Sequence, residues 1–435
     1  MISWKSLAGG LLFMAGLIDV KAQQKDYLED DWGSDFEVNM ASGSQTQASG
    51  ETPALIDTFW EQAALKLKTD VAYHDEITLA RSQARFEASA KPFAYSFLKL
   101  DLQYTYFQQQ DDLVLDQGSV KHALKINDAW FQYTHQSCNA KAGRQKLFWG
   151  AVEGSYALDV LMPLDLTEPL LTDFSLIRRS QDMAVFTCFA SEWDFELFYT
   201  PFPVLDQSTI RQTPRLLDLE DKLEYELGGR LTRHWQGLDV SVYLARLYEN
   251  SPETVINFNT MSVSGYQLDQ FDLAGVSLVH AIDRLLLELD FSYQEERKRL
   301  ALGAQSNSST LKYRTEVALG FEYTTESNHQ ISAGAWFFSY LSPLRPERER
   351  YGEVWNINWS KQYWNDDLTL STLALWQKEP DAAQLTAMAD YLWDDQWSSA
   401  IALSYKAPSA DFAQVSGPGG IKQGWMINLG LEYQF

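Results

Sequence analysis

From Leu55 onward the chain repeats one pattern, stretches in which apolar or aromatic side chains alternate with polar or charged ones. In FLKLDLQYTYF, Leu98, Leu100, Leu102, Tyr104 and Tyr106 fall on one face and Lys99, Asp101, Gln103 and Thr105 on the other. LLLELDFSYQ sets Leu287, Leu289, Phe291 and Tyr293 against Glu288, Asp290, Ser292 and Gln294. A period of two means a β-strand with unlike faces. In a soluble barrel the inward face is apolar and packed, whereas here the alternate face carries charges of both signs in strand after strand. A closed sheet with lipid outside and water inside accommodates this, because closure removes the unpaired edges that hydrocarbon cannot solvate. The expected fold class is therefore all-β, a transmembrane antiparallel β-barrel. A pair of soluble β-sandwiches is the alternative.

Segments centred near Asp57, Ile77, Phe97, Ala123, Cys138, Met183, Phe195, Leu223, Leu238, Phe271, Leu287, Leu311, Ile331, Tyr351, Leu368, Leu385, Ala400 and Ile427 give about eighteen strands. Sixteen is the next even count. With an even number both ends of the barrel chain lie on one side. Connections on that side, such as HWQG, AIDR and WDDQW, are short, and several on the other (109–121, 148–180, 249–266, 407–422) are long. That asymmetry is expected of an outer-membrane barrel, with short turns in the periplasm.

Composition agrees. Aromatics make up 14% of residues, including 15 Trp and 21 Tyr, enough for belts at two membrane interfaces. Mean hydropathy is −0.29 and no apolar run after the first few dozen residues is long enough for a helical span. The amino end, with Lys5, an apolar run from Leu7 to Ile18 and small Val20 and Ala22, reads as a signal peptide over 1–22. Residues 23–53 are acidic and then rich in Ser, Gly, Gln and Thr, a flexible periplasmic tail or a plug. The barrel occupies 54–435. A net charge of −24 with no basic cluster excludes nucleic acid as a partner. Outer-membrane lipids and the barrel insertion machinery are the expected partners in a bacterial outer membrane.

Alternation nominates lumen-lining residues: Arg81, Arg85, Glu87, Lys99, Asp101, Glu224, Arg230, Glu288, Asp290, Lys312, Arg314 and Glu316. The connection 148–180 is long enough to fold into the pore as a constriction. Its candidate residues are Arg144 and Trp149 in GRQKLFWG, then Asp159, Asp165, Arg178 and Arg179. Cys138 opens the fifth strand and Cys188 closes the sixth, which places a disulfide or two separate thiols near the periplasmic rim. The terminal WMINLGLEYQF ends on an aromatic, Phe435, expected to serve as an assembly signal on a strand that pairs with the first strand near Phe59. Six His without zinc-helix spacing, and no Gly-x-Ser-x-Gly or phosphate loop, point away from an enzyme, and no cofactor or metal is expected.

The order GRQ, WG, a D-x-x-x-P-x-D run, a paired Arg and YTPFP resembles the alginate-export-type barrels and their relatives encoded beside resistance-nodulation-division (RND) transporters. The resemblance implies a barrel of about eighteen strands that conducts solute, with an RND-type transporter or a periplasmic carrier as partner. The arginine-rich lumen of alginate export is replaced here by a mixed wall, so a polyanion gains little from it. The function expected is a channel or porin-like conduit for a polar or amphiphilic molecule, a polysaccharide, lipid or small solute. A non-conducting adhesin or receptor barrel is the alternative, and a barrel-borne hydrolase comes third.

Overall fold

A computed structural model describes residues 62–74, 76–110, 122–152, 154–165, 178–206, 221–257, 262–302, 312–341, 350–378, 381–407 and 424–435. The signal peptide and acidic tail lie outside the described residues, as do the Asp57 and Phe59 positions. The first half of the ring runs through β1 (Gln62–His74), β2 (Glu76–Ala90), β3 (Ser96–Gln110), β4 (His122–His135), β5 (Cys138–Gln145), β6 (Gln181–Ala190), β7 (Trp193–Thr200), β8 (Glu226–Trp235) and β9 (Leu238–Tyr248). After the short β10 (Glu253–Asn257) come β11 (Ser262–Ile282), β12 (Leu285–Leu302), β13 (Tyr313–Thr324), β14 (His329–Leu341) and β15 (Arg350–Tyr363). The ring ends with β16 (Leu368–Lys378), β17 (Asp381–Leu392), β18 (Trp397–Ala407) and β19 (Gly424–Gln434).

Every pairing is antiparallel between chain neighbours, with two exceptions that make the barrel. β9 pairs directly with β11, and β19 pairs with β1, Lys66 opposite Gln434 and Tyr73 opposite Ile427. The result is a closed eighteen-stranded ring, with β10 paired to the outer end of β11 beyond it. The Phe435 amide donates to the Leu65 carbonyl, so the last residue is part of the closing seam. Leu223, expected inside a strand, instead precedes β8.

Sharp turns collect at one end. Gln136, Ser191, Gly237, Asp283, Asn328 and Trp364 to Asp366 have positive φ, and each sits in a short connection of that end. Two-residue hairpins need left-handed turn residues to match strand twist. At this rim Trp193, Trp235, Trp364, Trp393, Trp397 and Phe435 are exposed. The opposite rim exposes Tyr199, Phe202, Tyr225, Tyr351, Trp376 and Trp425. Between them the outer wall shows Leu231, Val242, Leu244, Leu319, Ile357, Leu385, Ile401 and Leu429. An aliphatic band between two aromatic girdles is the surface a bilayer requires.

The inner wall departs from the alternation reading in one respect, since it is not polar throughout. Met183, Val185, Phe198, Leu247, Phe271 and Leu273 form an inward apolar patch on β6 to β11. Trp336, Val354, Leu373, Leu375, Met388 and Ala402 form another on β14 to β18. Both are buried because a chain segment lies on them.

Cys138 and Cys188 stand directly opposite on β5 and β6, Cα atoms 4.1 Å apart, and are joined by a disulfide. It closes a loop across a sequence separation of 50 residues that contains the whole lumen segment. In the chain-entropy account such closure contributes about 4 kcal/mol. The double variant Cys138→Ser/Cys188→Ser is expected to insert and conduct as wild type but to melt at lower temperature, read from the heat-modifiable gel shift.

Candidate functional site

The described residues between β5 and β6 turn into the lumen and reach both of its walls. These parts of the segment, residues 146–152, 154–165 and 178–180, rest on both inner apolar patches. Leu147, Trp149, Leu158, Leu161 and Met162 pack on β6, β7, β9 and β11. Val152 and Ala157 pack on the β13 to β18 wall, and Tyr156 meets Trp336 with ring centroids 5.8 Å apart. Burying these side chains in an otherwise wet channel supplies the apolar part of docking, up to 1.5–3 kcal/mol for each fully covered large side chain, as an order of magnitude.

Polar anchors set where the segment lies. The Ala151 amide donates to both Asp290 carboxylate oxygens, at 3.0 and 2.9 Å, and the Val152 amide donates to Oδ2 at 2.9 Å. Gly150 makes this approach feasible: its φ is +88°, and a Cβ there would lie 2.9 Å from Asp290 Oδ2. Gly275 on β11 does the same for Leu158, whose Cδ2 would be 2.2 Å from an added Cβ. Trp149 Nε1 donates to Glu196 Oε1 at 2.9 Å, and Arg230 holds the other oxygen at 3.1 Å. Lys125 pairs with Asp165 at 3.1 Å, and the Gln181 amide donates to the Leu161 carbonyl at 2.9 Å.

Inside the segment, Arg178 donates to Asp159 and lies near the rings of Phe148 and Tyr156, 5.9 and 5.6 Å to their centroids. Arg178 is 2% exposed. Burial pushes the Asp159 carboxyl up to about 6, against the pull of Arg178. Arg179 donates to the Leu205 carbonyl. These arginines, expected to face a passing solute, are struts of the segment, because a bridge between Leu164 and Arg178 folds the return strand onto its own outgoing half.

Two further expectations are corrected. Arg144 does not face the pore: Gln145 beside it is buried inward, so parity turns Arg144 outward, where it pairs with Asp182 at 2.8 Å. Arg144→Ala is accordingly expected to leave conductance and ion selectivity unchanged in planar bilayers. Glu224 stands at the rim before β8, exposed and paired with Lys298 at 2.9 Å, because β8 begins only at Glu226.

The remaining lumen candidates lie on the inner wall, sorted into two sectors. On β1 to β4, Arg81 holds Asp70 at 3.0 Å, Arg85 holds Glu87 at 2.9 Å and Asp101 at 2.6 Å, and Lys66 reaches Glu87 at 3.3 Å. Lys68, Lys99 and Lys125 share this wall, which gives it more cations than carboxylates. The facing sector on β11 to β13 is acidic. Lys312 pairs with Asp269 at 2.8 Å and Arg314 with Glu316, whose Oε2 also accepts from Trp336 Nε1 at 2.8 Å. Beneath Val152, Glu288 and Glu322 line a small open recess with Ser332 and Asn356. Glu196 was missed as a residue of the pathway. The inward parity of Asp194 and Glu196 in WDFELFYT was a signal for it, but no sequence spacing links Glu196 to Trp149.

Among the described residues no group of His, Cys, Asp and Glu is arranged to hold a metal ion. No family model and no curated protein matches the chain. Solved structures do. OpdK of Pseudomonas aeruginosa, crystallised with vanillate, is similar with a TM-score of 0.55 at 8% identity, over 87% of this chain and 99% of that one. OccAB1 of Acinetobacter baumannii is similar with a TM-score of 0.53 at 9% identity, over 87% and 98%. OccK3 (OpdO) of Pseudomonas aeruginosa is similar with a TM-score of 0.52 at 11% identity, over 86% and 95%. The chain thus has the closed eighteen-stranded fold of bacterial outer-membrane barrels.

Proposed function

We propose that the protein is an outer-membrane channel for small polar, charged solutes, gated in size by the segment that crosses its lumen. The observation that carries this reading is the docking of that segment on Asp290, with apolar patches beneath it on both walls. A barrel that only anchors surface loops needs no such internal brace. The brace leaves the cation-rich wall of β1 to β4 partly exposed, Lys66, Lys68 and Lys125 at 26%, 22% and 28% of their side chains, as a path for anionic groups. An acidic sector opposite lets a solute with both charges orient as it passes. Vanillate, named with one of the similar barrels, is a suitable first probe because it joins a carboxylate to an aromatic ring.

The test is single-channel recording of the purified full chain in planar bilayers. Unitary steps that added vanillate interrupts are expected, and the interruptions should become rarer in Lys125→Ala. A bilayer with verified insertion and no steps would refute the channel reading.

A further inference from the structure

A separate charged group stands inside the tight-turn rim, away from the crossing segment. His234 is the penultimate residue of β8, and parity places it on the inner wall with Thr232 and Arg230. Its Nδ1 lies 2.8 Å from Asp239 Oδ1 on β9, and its Nε2 lies 2.8 Å from Asp194 Oδ2 on β7. A neutral imidazole has one N–H, so one of its nitrogens would then present a lone pair to a carboxylate oxygen at that distance. Both contacts are hydrogen bonds only when both nitrogens carry protons. The arrangement is therefore built for imidazolium.

The neighbouring charges are committed elsewhere. On β7, Glu196 is held by Arg230 of β8 and by Trp149. Arg233, on the other side of β8, pairs with Glu192 at 2.9 Å against the rings of Trp193 and Trp235. Thr232 and Ser241 bond each other at 2.8 Å. Arg230 also attracts Asp194 from a distance, but the ring is the group hydrogen-bonded to both Asp194 and Asp239, and the three side chains together carry −1 with its second proton and −2 without it. They are 40%, 30% and 45% exposed, open to water and to ions in the mouth.

From this geometry we infer that Asp194, His234 and Asp239 form a proton-dependent selectivity site at the turn-side mouth of the pore, favouring cations more strongly once the ring loses its proton. The inference rests on the channel reading for its effect on ions, but not for the state of the ring. One added elementary charge beside a wet passage changes local ion occupancy by about two- to fivefold.

Two measurements on the full-length protein decide it. In bilayers under a KCl gradient, the potassium-to-chloride permeability ratio of wild type should rise about two- to fivefold, in one step between pH 5.5 and 8.5. His234→Gln, neutral throughout, should be flat. A flat wild-type profile, or a step retained in His234→Gln, overturns the proposal. Independently, ring-nitrogen NMR of His234 in detergent micelles should show both nitrogens protonated at the acid end and one at the alkaline end. A ring that stays neutral or stays charged over that range overturns the proposal even if the barrel never conducts. Titration of the ring without any conductance would instead fault the channel reading and, with it, the selectivity role.

Discussion

Asp290→Ala is expected to release the crossing segment and raise single-channel conductance. The carboxylate is fully buried and accepts the Ala151 and Val152 amides. Hydrogen bonds to a charged group contribute about 1.5–3 kcal/mol each, so two are worth roughly 3–6 kcal/mol of docking. Since 1.4 kcal/mol is a factor of ten, the docked-to-released ratio should fall by about two to four orders of magnitude. The barrel itself should survive, because the β12 ladder to β11 and β13 does not involve the side chain. Recording should show larger, noisier steps, with faster entry of bulky solutes into cells. Asp290→Asn, which keeps an acceptor without the charge, should lie between. Unchanged conductance in Asp290→Ala would mean that the apolar contacts of Val152 and Ala157 hold the segment alone.

The second large effect is expected from Arg178. Removing one member of a buried ion pair typically costs 3–5 kcal/mol, because the other charge is left without compensation. In Arg178→Ala the stranded group is Asp159, whose carboxyl burial already pushes up to about 6. Without the guanidinium it takes up a proton near neutral pH, and the segment loses its internal strut and the packing on Phe148 and Tyr156. The expected result is frequent switching between two conductance levels, more pronounced as pH rises and ionised Asp159 disfavours docking. The double variant Arg178→Ala/Asp159→Asn should recover much of the steady level, since it removes both charges together. If the effects of the two single variants simply add in the double, the pair is not coupled and the strut assignment fails.

Much of the fold was legible because its rule is local. In LLLELDFSYQ the two faces differ at every step, so Glu288 and Asp290 can only face the lumen once Leu287 and Leu289 face lipid. Of the eighteen strand centres that alternation nominates, fifteen fall in strands of the ring and Leu223 precedes β8, while Asp57 and Leu311 lie outside the described residues. The rule reaches its limit at Arg144: in GRQKLFWG it looks like loop, where parity says nothing, but it belongs to β5, where parity turns it outward. The pathway was legible only as a list. Arg178 and Arg179 advertise charge in the sequence, yet their partners, Asp159 and the Leu205 carbonyl, consume it.

The sequence by itself determined the closed sheet, the two girdles, the side on which the turns are short and the identity of most inward charges. These follow from period-two alternation and from turn chemistry, which act within a few residues. Only the tertiary structure decided that the crossing segment lies on Asp290, that Trp149 meets Glu196, and that His234 is held between Asp194 and Asp239. Those contacts join residues whose separation along the chain carries no information about their distance across a lumen. Their geometry exists only after the ring has closed and brought the facing walls within reach.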